Sequence, residues 1–548
     1  MTLSLPGPVR KAGDIALAVN VMRKRGLFDP LRLDHAVKSM VNAGRYGPFA
    51  AVVMHAVQDR PDSPAIADEK GELTFRDLDQ QSNAFARGLV ERGLRAGDVV
   101  AILARDHRGM VLSMLTAGKL GLRAVLMNTG FATPQFADVA EREQVKAVLH
   151  DSEFFELMSA IPASIPRILT WVDESDHADA AIPTVESVSA GQSTAPLTAP
   201  RKPGGTVILT SGTTGTPKGA PRDKVSPFIS AQFIDRVPLP SNGTMVMAAP
   251  IFHGTGLSQF SLGLGLGNRV IFQQRRFDPE LTLANIERYR ADSLVVVPTM
   301  LQRILDQPRE VLDRYDVSSL RVIFAAGSAI PPDVVVRTGE YFGDVLYNLY
   351  GSTECAVITV ATPEELRAEP GTAGRPPVGV RIALYDENRQ RITEPEVTGT
   401  IFIDNPHAFN AYTDGRTKEQ VDGMMSSGDV GHLDRNGLLF IDGRDDDMIV
   451  SGGENVFPQE VEHLIANRPD VLEAAVVGVD DREFGKRLRA VVVPGRGSSR
   501  DPQEIKDYVK ANLARYKVPR EVIFLDELPR NATGKLLRKP LTELEPDR

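Results

Sequence analysis

Cysteine is almost absent from this chain: Cys355 stands alone among 548 residues. An internal disulfide is excluded, and no Cys/His cluster has zinc-like spacing, a pattern that fits a reducing cytosol. Long apolar runs are missing too; none approaches the roughly 18 to 20 residues that a membrane-spanning helix needs. Positive charge is in deficit, with 63 Lys and Arg against 72 Asp and Glu and a net charge of −9, which argues against a nucleic-acid binder. There is no internal repeat and no heptad pattern. No G-x-S-x-G elbow or Ser-His-Asp pattern marks a protein nucleophile. What remains is an ordinary soluble composition, 42% hydrophobic and 25% charged, in a chain too long for one core, so two or more domains are expected.

Residues 1–45 reverse the charge balance. Eight Lys or Arg stand against three Asp, a net of +5. Ile15-Ala16-Leu17-Ala18-Val19 is apolar between basic flanks, but Asp14 precedes it and Asn20 interrupts it, which speaks against a signal peptide. Two readings follow. The favoured one is a helical extension packed on the main body. The other is an amphipathic segment in peripheral contact with an anionic membrane, which would suit a lipid-dissolved substrate.

Further on, short apolar runs alternate with helical stretches. Val99–Leu103 precedes the helical stretch Met110–Leu120, and Ala124–Met127, Ala147–Leu149, Met245–Met247, Val270–Phe272, Leu294–Val297 and Val322–Phe324 follow. Continuous apolar strands between helices predict parallel sheets covered on both faces. From about Gly374 short strands with turn signals predict a small β subdomain. Residues 189–205, rich in Ser, Ala, Pro and Gly, read as a loop. After Asp446 a smaller α+β domain is expected, with Val461–Ile465 helical and Ala474–Val477 a strand.

The chemistry concentrates in TSGTTGTPKG, Thr210–Gly219, which follows the buried-strand pattern Val207-Ile208-Leu209. A strand feeding such a loop presents backbone N–H groups and hydroxyls to a polyphosphate. Gly212, Gly215 and Gly219 allow close backbone approach. Ser211, Thr213, Thr214 and Thr216 add donors, and Lys218 adds charge. The spacing is not that of a Walker A loop, because Pro217 stands where its second Gly belongs.

Six further stretches follow in order: Pro250-Ile251-Phe252-His253-Gly254-Thr255-Gly256, Tyr350-Gly351-Ser352-Thr353-Glu354, Ser427-Gly428-Asp429, Gly443-Arg444-Asp445-Asp446-Asp447, Ser451-Gly452-Gly453-Glu454-Asn455-Val456 and Pro529-Arg530-Asn531-Ala532-Thr533-Gly534-Lys535. Together they resemble the adenylate-forming superfamily of acyl-CoA synthetases, aryl-CoA ligases and peptide-synthetase adenylation domains, over roughly residues 50 to 545. The resemblance is strongest to bacterial fatty acyl-CoA synthetases. It implies an α/β fold: a large N-terminal domain of parallel α/β sheets plus a small β subdomain, then a small mobile α+β C-terminal domain. The expected divisions are a basic extension at 1–45, an adenylation domain binding ATP and acyl group at 46–441, a hinge at 442–447 and a C-terminal domain carrying the catalytic lysine at 448–548.

The resemblance also implies roles. Lys535 is the expected catalytic group, bridging the substrate carboxylate and the α-phosphate of ATP; alone, a T-G-K would be a solvated turn. Glu354 is expected to hold Mg²⁺, with Ser352 and Thr353 as hydroxyl donors, although Ser or Thr before Glu also reads as a helix N-cap. Asp429 is expected on the ribose hydroxyls and Arg444 on the ribose and phosphate side, although an Asp after Gly is commonly a turn residue. Thr210, Ser211, Gly212, Thr213, Thr214, Gly215 and Lys218 are expected on the phosphates. Gly327, Ser328, Ala329, Tyr350 and Gly351 are expected around the adenine, with Gly327 also bordering the acyl group. Phe252, His253, Gly254 and Gly256 complete the expected acyl site, with His253 beside the carboxylate, although a His in an apolar setting is commonly a satisfied core residue. Gly254, Gly256, Gly263, Gly265 and Gly267 suggest a roomy apolar channel.

Gly452, Gly453 and Glu454 are expected to line the CoA thiol's tunnel, and Asp446 to be the hinge pivot. Lys486 and Arg487 depart from the pattern and read as surface charge or as a draw for CoA phosphates. No chemistry is assigned to Cys355. The expected activity is ATP-dependent conversion of a medium- or long-chain fatty acid to acyl-AMP and then acyl-CoA, with Mg²⁺. The alternatives are an aryl-CoA ligase or an acyl-AMP ligase loading a carrier protein; intact Lys535, Glu354 and Asp429 oppose a non-enzymatic scaffold. A cytoplasmic, homo-oligomeric protein is a further expectation.

Overall fold

The apolar runs become strands buried on both faces. The computed structural model describes residues 7–27, 31, 33–173, 181–210, 218–221, 229–273, 276–408, 417–444, 448–495, 498–529 and 536–545. One six-stranded sheet runs in the order Arg167–Trp171, Ala147–Asp151, Val99–Leu103, Arg123–Leu126, Thr206–Thr210, Lys218–Pro221, parallel until the last pair. An eight-stranded sheet runs Ala356–Ala361, Leu346–Ser352, Val322–Ala326, Ser293–Val296, Thr244–Met247, Arg269–Phe272, Pro64–Asp68, Gly71–Thr74, with antiparallel pairs only at its two edges. Ile102, Val148, Val246, Leu294 and Ile323 are fully enclosed. A single cluster joins Ile102, Leu126 and Leu149 of the first sheet to Ile66, Met245 and Phe324 of the second, through helices that lie between them. Such enclosure on both faces is what continuous hydrophobic strands require.

The β subdomain is antiparallel, built on Arg381–Tyr385, Gly399–Asp404, Met424–Leu433 and Leu439–Arg444. The C-terminal sheet contains Ile449–Ser451, Glu454–Val456, Val471–Asp481, Gly485–Pro494 and Glu521–Phe524. Helices Pro458–Ala466 and Pro502–Asn512 cover one face through Val461, Ile465, Ile505 and Val509, and Leu541 covers the other. Lys517, fully enclosed, pairs with the Glu460 carboxylate. Isolated buried charges cost several kcal/mol each, so neither partner is tolerable there alone.

The N-terminal segment forms helices α1 (Gly7–Lys24) and α2 (Leu33–Tyr46), followed by α3 (Pro48–Asp59). α1 is packed on the body. Asp14 pairs with Arg381 at 2.8 Å, Ala18 is buried, and the Arg25 guanidinium donates to the carbonyls of Ile234 and Asp235 at 3.0 and 3.4 Å. Those carbonyls close the helix Ile229–Arg236, where a basic side chain satisfies acceptors that the helix cannot. The packed extension therefore describes α1. Among the described residues no helix is long and apolar enough to cross a membrane.

Candidate active site

Four neighbouring strands of the eight-stranded sheet deliver residues to one crevice at their carboxyl ends, where open α/β sheets bind ligands. Thr244–Met247 leads to Phe252 and His253, Ser293–Val296 to Val297, Val322–Ala326 to Gly327, Ser328 and Ala329, and Leu346–Ser352 to Thr353 and Glu354. His253 is the N-cap residue of the helix Gly254–Gly265. A Cβ added to Gly254 would lie 4.0 Å from the Thr353 hydroxyl, so the acyl segment and the Glu354 turn face each other. Glu354 lies in a turn that reverses directly into Ala356–Ala361. No helix begins there, which removes the N-cap reading of Ser352 and Thr353; Ser352 Oγ instead accepts from the Cys355 N–H at 3.1 Å.

The C-terminal domain enters the same crevice. Gly452 and Gly453 have φ of +61° and +86° and form the two-residue turn of the hairpin between Ile449–Ser451 and Glu454–Val456. Two successive positive φ angles are what a tight hairpin with the right strand twist demands, and glycine meets that demand without strain. At Gly453 a Cβ would sit 3.7 Å from Val297, and at Gly327, whose φ is +108°, a Cβ would sit 3.6 Å from Val297 and 3.9 Å from the Gly453 Cα. The turn brings Glu454 to His253, with Nε2 and Oε1 3.0 Å apart, while Asn128 Nδ2 donates to the same oxygen at 3.4 Å. Burial alone would pull the His253 pKa down, but Glu454 and then Asp106 outweigh it and the net shift is upward from 6.5. Burial likewise pushes Glu454 up, and His253 and Asn128 outweigh it, leaving that carboxyl below 4.5. Both shifts describe an ion pair across the domain boundary. Gly130 O accepting from Arg515 N at 3.2 Å and Arg303 pairing with Glu483 at 2.9 Å extend that boundary.

Tyr350 and Asp429 meet as well: the phenol donates to the Asp429 carboxylate, and burial together with that charge raises the Tyr350 pKa well above 10. Asp429 is buried and stands opposite Arg444 in the antiparallel ladder. In the phosphate stretch, Thr206–Thr210 and Lys218–Pro221 pair antiparallel with Thr210 opposite Lys218. The strand is thus followed by an antiparallel partner strand, unlike the helix that follows a Walker loop. Ser211, Gly212, Thr213, Thr214 and Gly215 between the two strands, the hinge candidate Asp446 and the catalytic candidate Lys535 lie outside the described residues.

Two expectations need correction. The glycines of the acyl segment do not open a channel. A Cβ at Gly256 would come within 2.0 Å of the Pro250 carbonyl, Gly263 packs on Met245, Gly265 faces Val52, and Gly267 lies against Arg60 and Asn242. Gly256, Gly263 and Gly267 permit close packing, while at Gly254 and Gly265 an added Cβ would meet its neighbours at ordinary contact distance. Arg487, offered as a draw for CoA phosphates, is occupied by Asp481 and Glu521, whereas Lys486 is a surface charge near Asp480. Cys355 is buried and its thiol is pushed up to about 11, which makes it inert.

Two contributors, and one buried amide on the helix after His253, carried no sequence signal. Asp106, at the end of Val99–Leu103, accepts the Ile251 N–H at 3.1 and 3.2 Å and is raised by burial to about 7. Asn128 is the second. Gln259, on the helix that starts after His253, is fully buried, and neither of its amide atoms has a hydrogen-bond partner among the described residues. Each has an ordinary sequence neighbourhood, and only the fold brings Asp106 to Ile251 and Asn128 to Glu454.

The sequence model of the AMP-binding enzymes matches residues 53–413, and that of the AMP-binding enzyme C-terminal domain matches residues 460–535. The chain belongs to the AMP-binding enzymes. It is 31% identical over 502 residues to the indoleacetate--CoA ligase of Aromatoleum aromaticum, covering 88% of this chain and 95% of that one. To the 2-succinylbenzoate--CoA ligase of Bacillus subtilis it is 30% identical over 496 residues, covering 90% and 97%. Among solved structures, the amide bond synthetase McbA of Marinactinospora thermotolerans superimposes with a TM-score of 0.80 at 26% identity, over 91% of this chain and 100% of that chain. A double mutant of o-succinylbenzoate CoA synthetase from Bacillus subtilis, bound with its product analogue OSB-NCoA, gives 0.76 at 29% identity over 90% and 98%. The same synthetase in complex with the acyl-adenylate OSB-AMP gives 0.62 at 28% over 91% and 99%. The adenylate-forming fold and the acid–CoA ligase class follow, with ATP, Mg²⁺ and CoA as the reactants and ion that the class uses. Among the described residues no cluster of three or more His, Cys, Asp or Glu offers a metal cage.

Proposed function

We propose that this enzyme activates an aromatic or arylalkanoic carboxylic acid as its acyl-adenylate and transfers the acyl group to CoA. The aryl-CoA ligase alternative is preferred here to the fatty-acid reading, because the named relatives act on indoleacetate and 2-succinylbenzoate. Gln259 supports it physically. A buried amide left unpaired costs about 1–3 kcal/mol, and it sits six residues, or about 9 Å of helix, beyond His253. In this proposal the amide faces the acyl group, where a saturated chain would leave it unpaired and a hydroxyl, ring N–H or second carboxyl would not.

A carboxylate is a poor electrophile, and attack on the α-phosphate of ATP converts its oxygen into part of a good leaving group. The protein's task is electrostatic and positional. In this proposal Lys535 counters charge on the α-phosphate, the Thr210–Lys218 loop holds the phosphates, and Asp429, fixed by Tyr350, takes the ribose hydroxyls with Arg444. Mg²⁺ on Glu354 would neutralise phosphate charge. The single observation that carries the CoA step is the docked hairpin: Gly453 lies beside Gly327 and Val297 while Glu454 engages His253. The closer match to the CoA-analogue complex than to the adenylate complex of the same synthetase, 0.76 against 0.62, points the same way. Rotation about the hinge at Asp446 would free His253 for adenylation.

The test is pyrophosphate release across aryl, arylalkanoic, medium-chain and long-chain acids, with and without CoA, with products read by mass spectrometry. Highest kcat/KM for aryl acids, with thioester formed only when CoA is present, is expected. Preference for fatty acids overturns the substrate class. Amide formed from an added amine with no thioester overturns the CoA step.

A further inference from the structure

Half of the exposed large apolar side chains in the described structure sit in residues 15–41. Ile15, Leu17, Leu31, Val37, Met40 and Val41 are there, against six others over the rest of the chain. α1 spends its inner side on the body, as described above. α2 is attached by its other face, where Ser39 Oγ meets His55 Nδ1 at 3.2 Å and Tyr46 packs on the core. Its outer face shows Val37, Met40 and Val41 at 60%, 67% and 45% exposure, spaced i, i+3, i+4 and so one above another on the helix. Leu31, 92% exposed, lies just before it. Lys38 and Arg45 flank this face; Asp34 is the acid on α2 and is paired with Lys38 at 3.5 Å. Arg23 and Lys24 end α1.

We infer that α2 docks this face on an anionic lipid surface. Its apolar knuckles enter the headgroup boundary and its basic flank meets lipid phosphates. Charge complementarity selects this occupant: residues 1–45 carry +5 in a chain of −9, with α2 itself contributing +1. Area argues against a second copy. Four protruding side chains present roughly 450 Å², below the roughly 800 Å² per partner of a stable interface. A bilayer needs no shaped counterpart, and each basic residue near it strengthens attachment about fivefold at low salt.

The experiment is co-sedimentation of the full-length protein with vesicles of phosphatidylglycerol and phosphatidylcholine, and with phosphatidylcholine alone, at low and high salt. The wild type should pellet with anionic vesicles at low salt and be released by salt and by neutral vesicles. The Val37→Glu/Met40→Glu and Lys38→Glu/Arg45→Glu variants, which add two and four negative charges' worth of change respectively, should each lose binding at least about tenfold. These side chains face solvent, so melting temperature and ligase rate on a soluble acid should not change. Wild type remaining in the supernatant, or variants pelleting like wild type, overturns the inference. So does a vesicle-free dimer, seen by analytical ultracentrifugation, that Val37→Glu/Met40→Glu dissolves, since the face would then join two copies.

Discussion

Glu454→Gln removes one charge from the contact between the two domains and keeps its shape. Glu454 meets His253 at 3.0 Å, with the side chains 24% and 33% exposed. A hydrogen bond between charged groups contributes about 1.5–3 kcal/mol, and partial exposure with solvent screening reduces that to about 1–2 kcal/mol. The docked arrangement should therefore lose about 5- to 30-fold in population. In the proposed cycle the pair is made only in the docked arrangement, so transfer from purified acyl-adenylate to CoA should slow by up to that factor in single-turnover measurements, while acid-dependent pyrophosphate exchange stays within about twofold of wild type. The pH dependence has a definite sign. His253 is raised above 6.5, so its contribution is complete below 6.5 and fades as pH rises through the raised value. Glu454 is lowered from 4.5, so its contribution is present above 4.5 and fades as pH falls through the lowered value. The difference between wild type and variant should be largest between those limits and shrink at alkaline pH. Equal loss in both half-reactions, or a difference that ignores pH, would refute the reasoning.

Gly453→Leu should block thioester formation and spare pyrophosphate exchange, because φ is +86° and the added Cβ already lies 3.7 Å from Val297; normal acyl-CoA output would show that the thiol enters elsewhere. Lys535→Ala should abolish adenylation and leave transfer from supplied acyl-adenylate much less affected, and parallel loss of both would remove Lys535 from its proposed role. Asp106→Asn keeps an acceptor for the Ile251 N–H but cannot ionise. The wild-type carboxyl, raised from 3.8 to about 7, loses stability as pH climbs through that interval. The variant should therefore melt a few degrees higher at pH 8 and level with wild type near pH 4; a pH-independent gap counts against it. Gln259→Leu should cut the preference for hydroxyl- or N–H-bearing acids over unsubstituted ones by at least about tenfold in kcat/KM, and an unchanged ratio would place the amide outside substrate contact.

Local sequence determined the elements and the family. Runs such as Val99–Leu103 and Leu294–Val297 are apolar throughout, and only a parallel strand covered on both faces buries every side chain of such a run. The Gly452-Gly453 pair, read in sequence only as part of the thiol's tunnel, is a hairpin turn whose two positive φ angles exclude nearly every other residue. Glu354 shows where local reading stops: Ser-Thr-Glu reads as a helix start, yet strand pairing with Ala356–Ala361 overrode that preference. The acyl-site glycines show it again, since a missing side chain reads alike whether it leaves a channel or admits a neighbour's backbone, and at Gly256 the neighbour is Pro250. Partners far apart in the chain were decided only by the tertiary structure. His253 and Glu454 stand 201 residues apart, Asp106 and Ile251 stand 145 apart, and Tyr350 and Asp429 stand 79 apart. Each is an unexceptional residue in its own stretch. Its charge state and its use arise from the burial and the opposite charge that folding places beside it, quantities that a linear order of side chains does not contain.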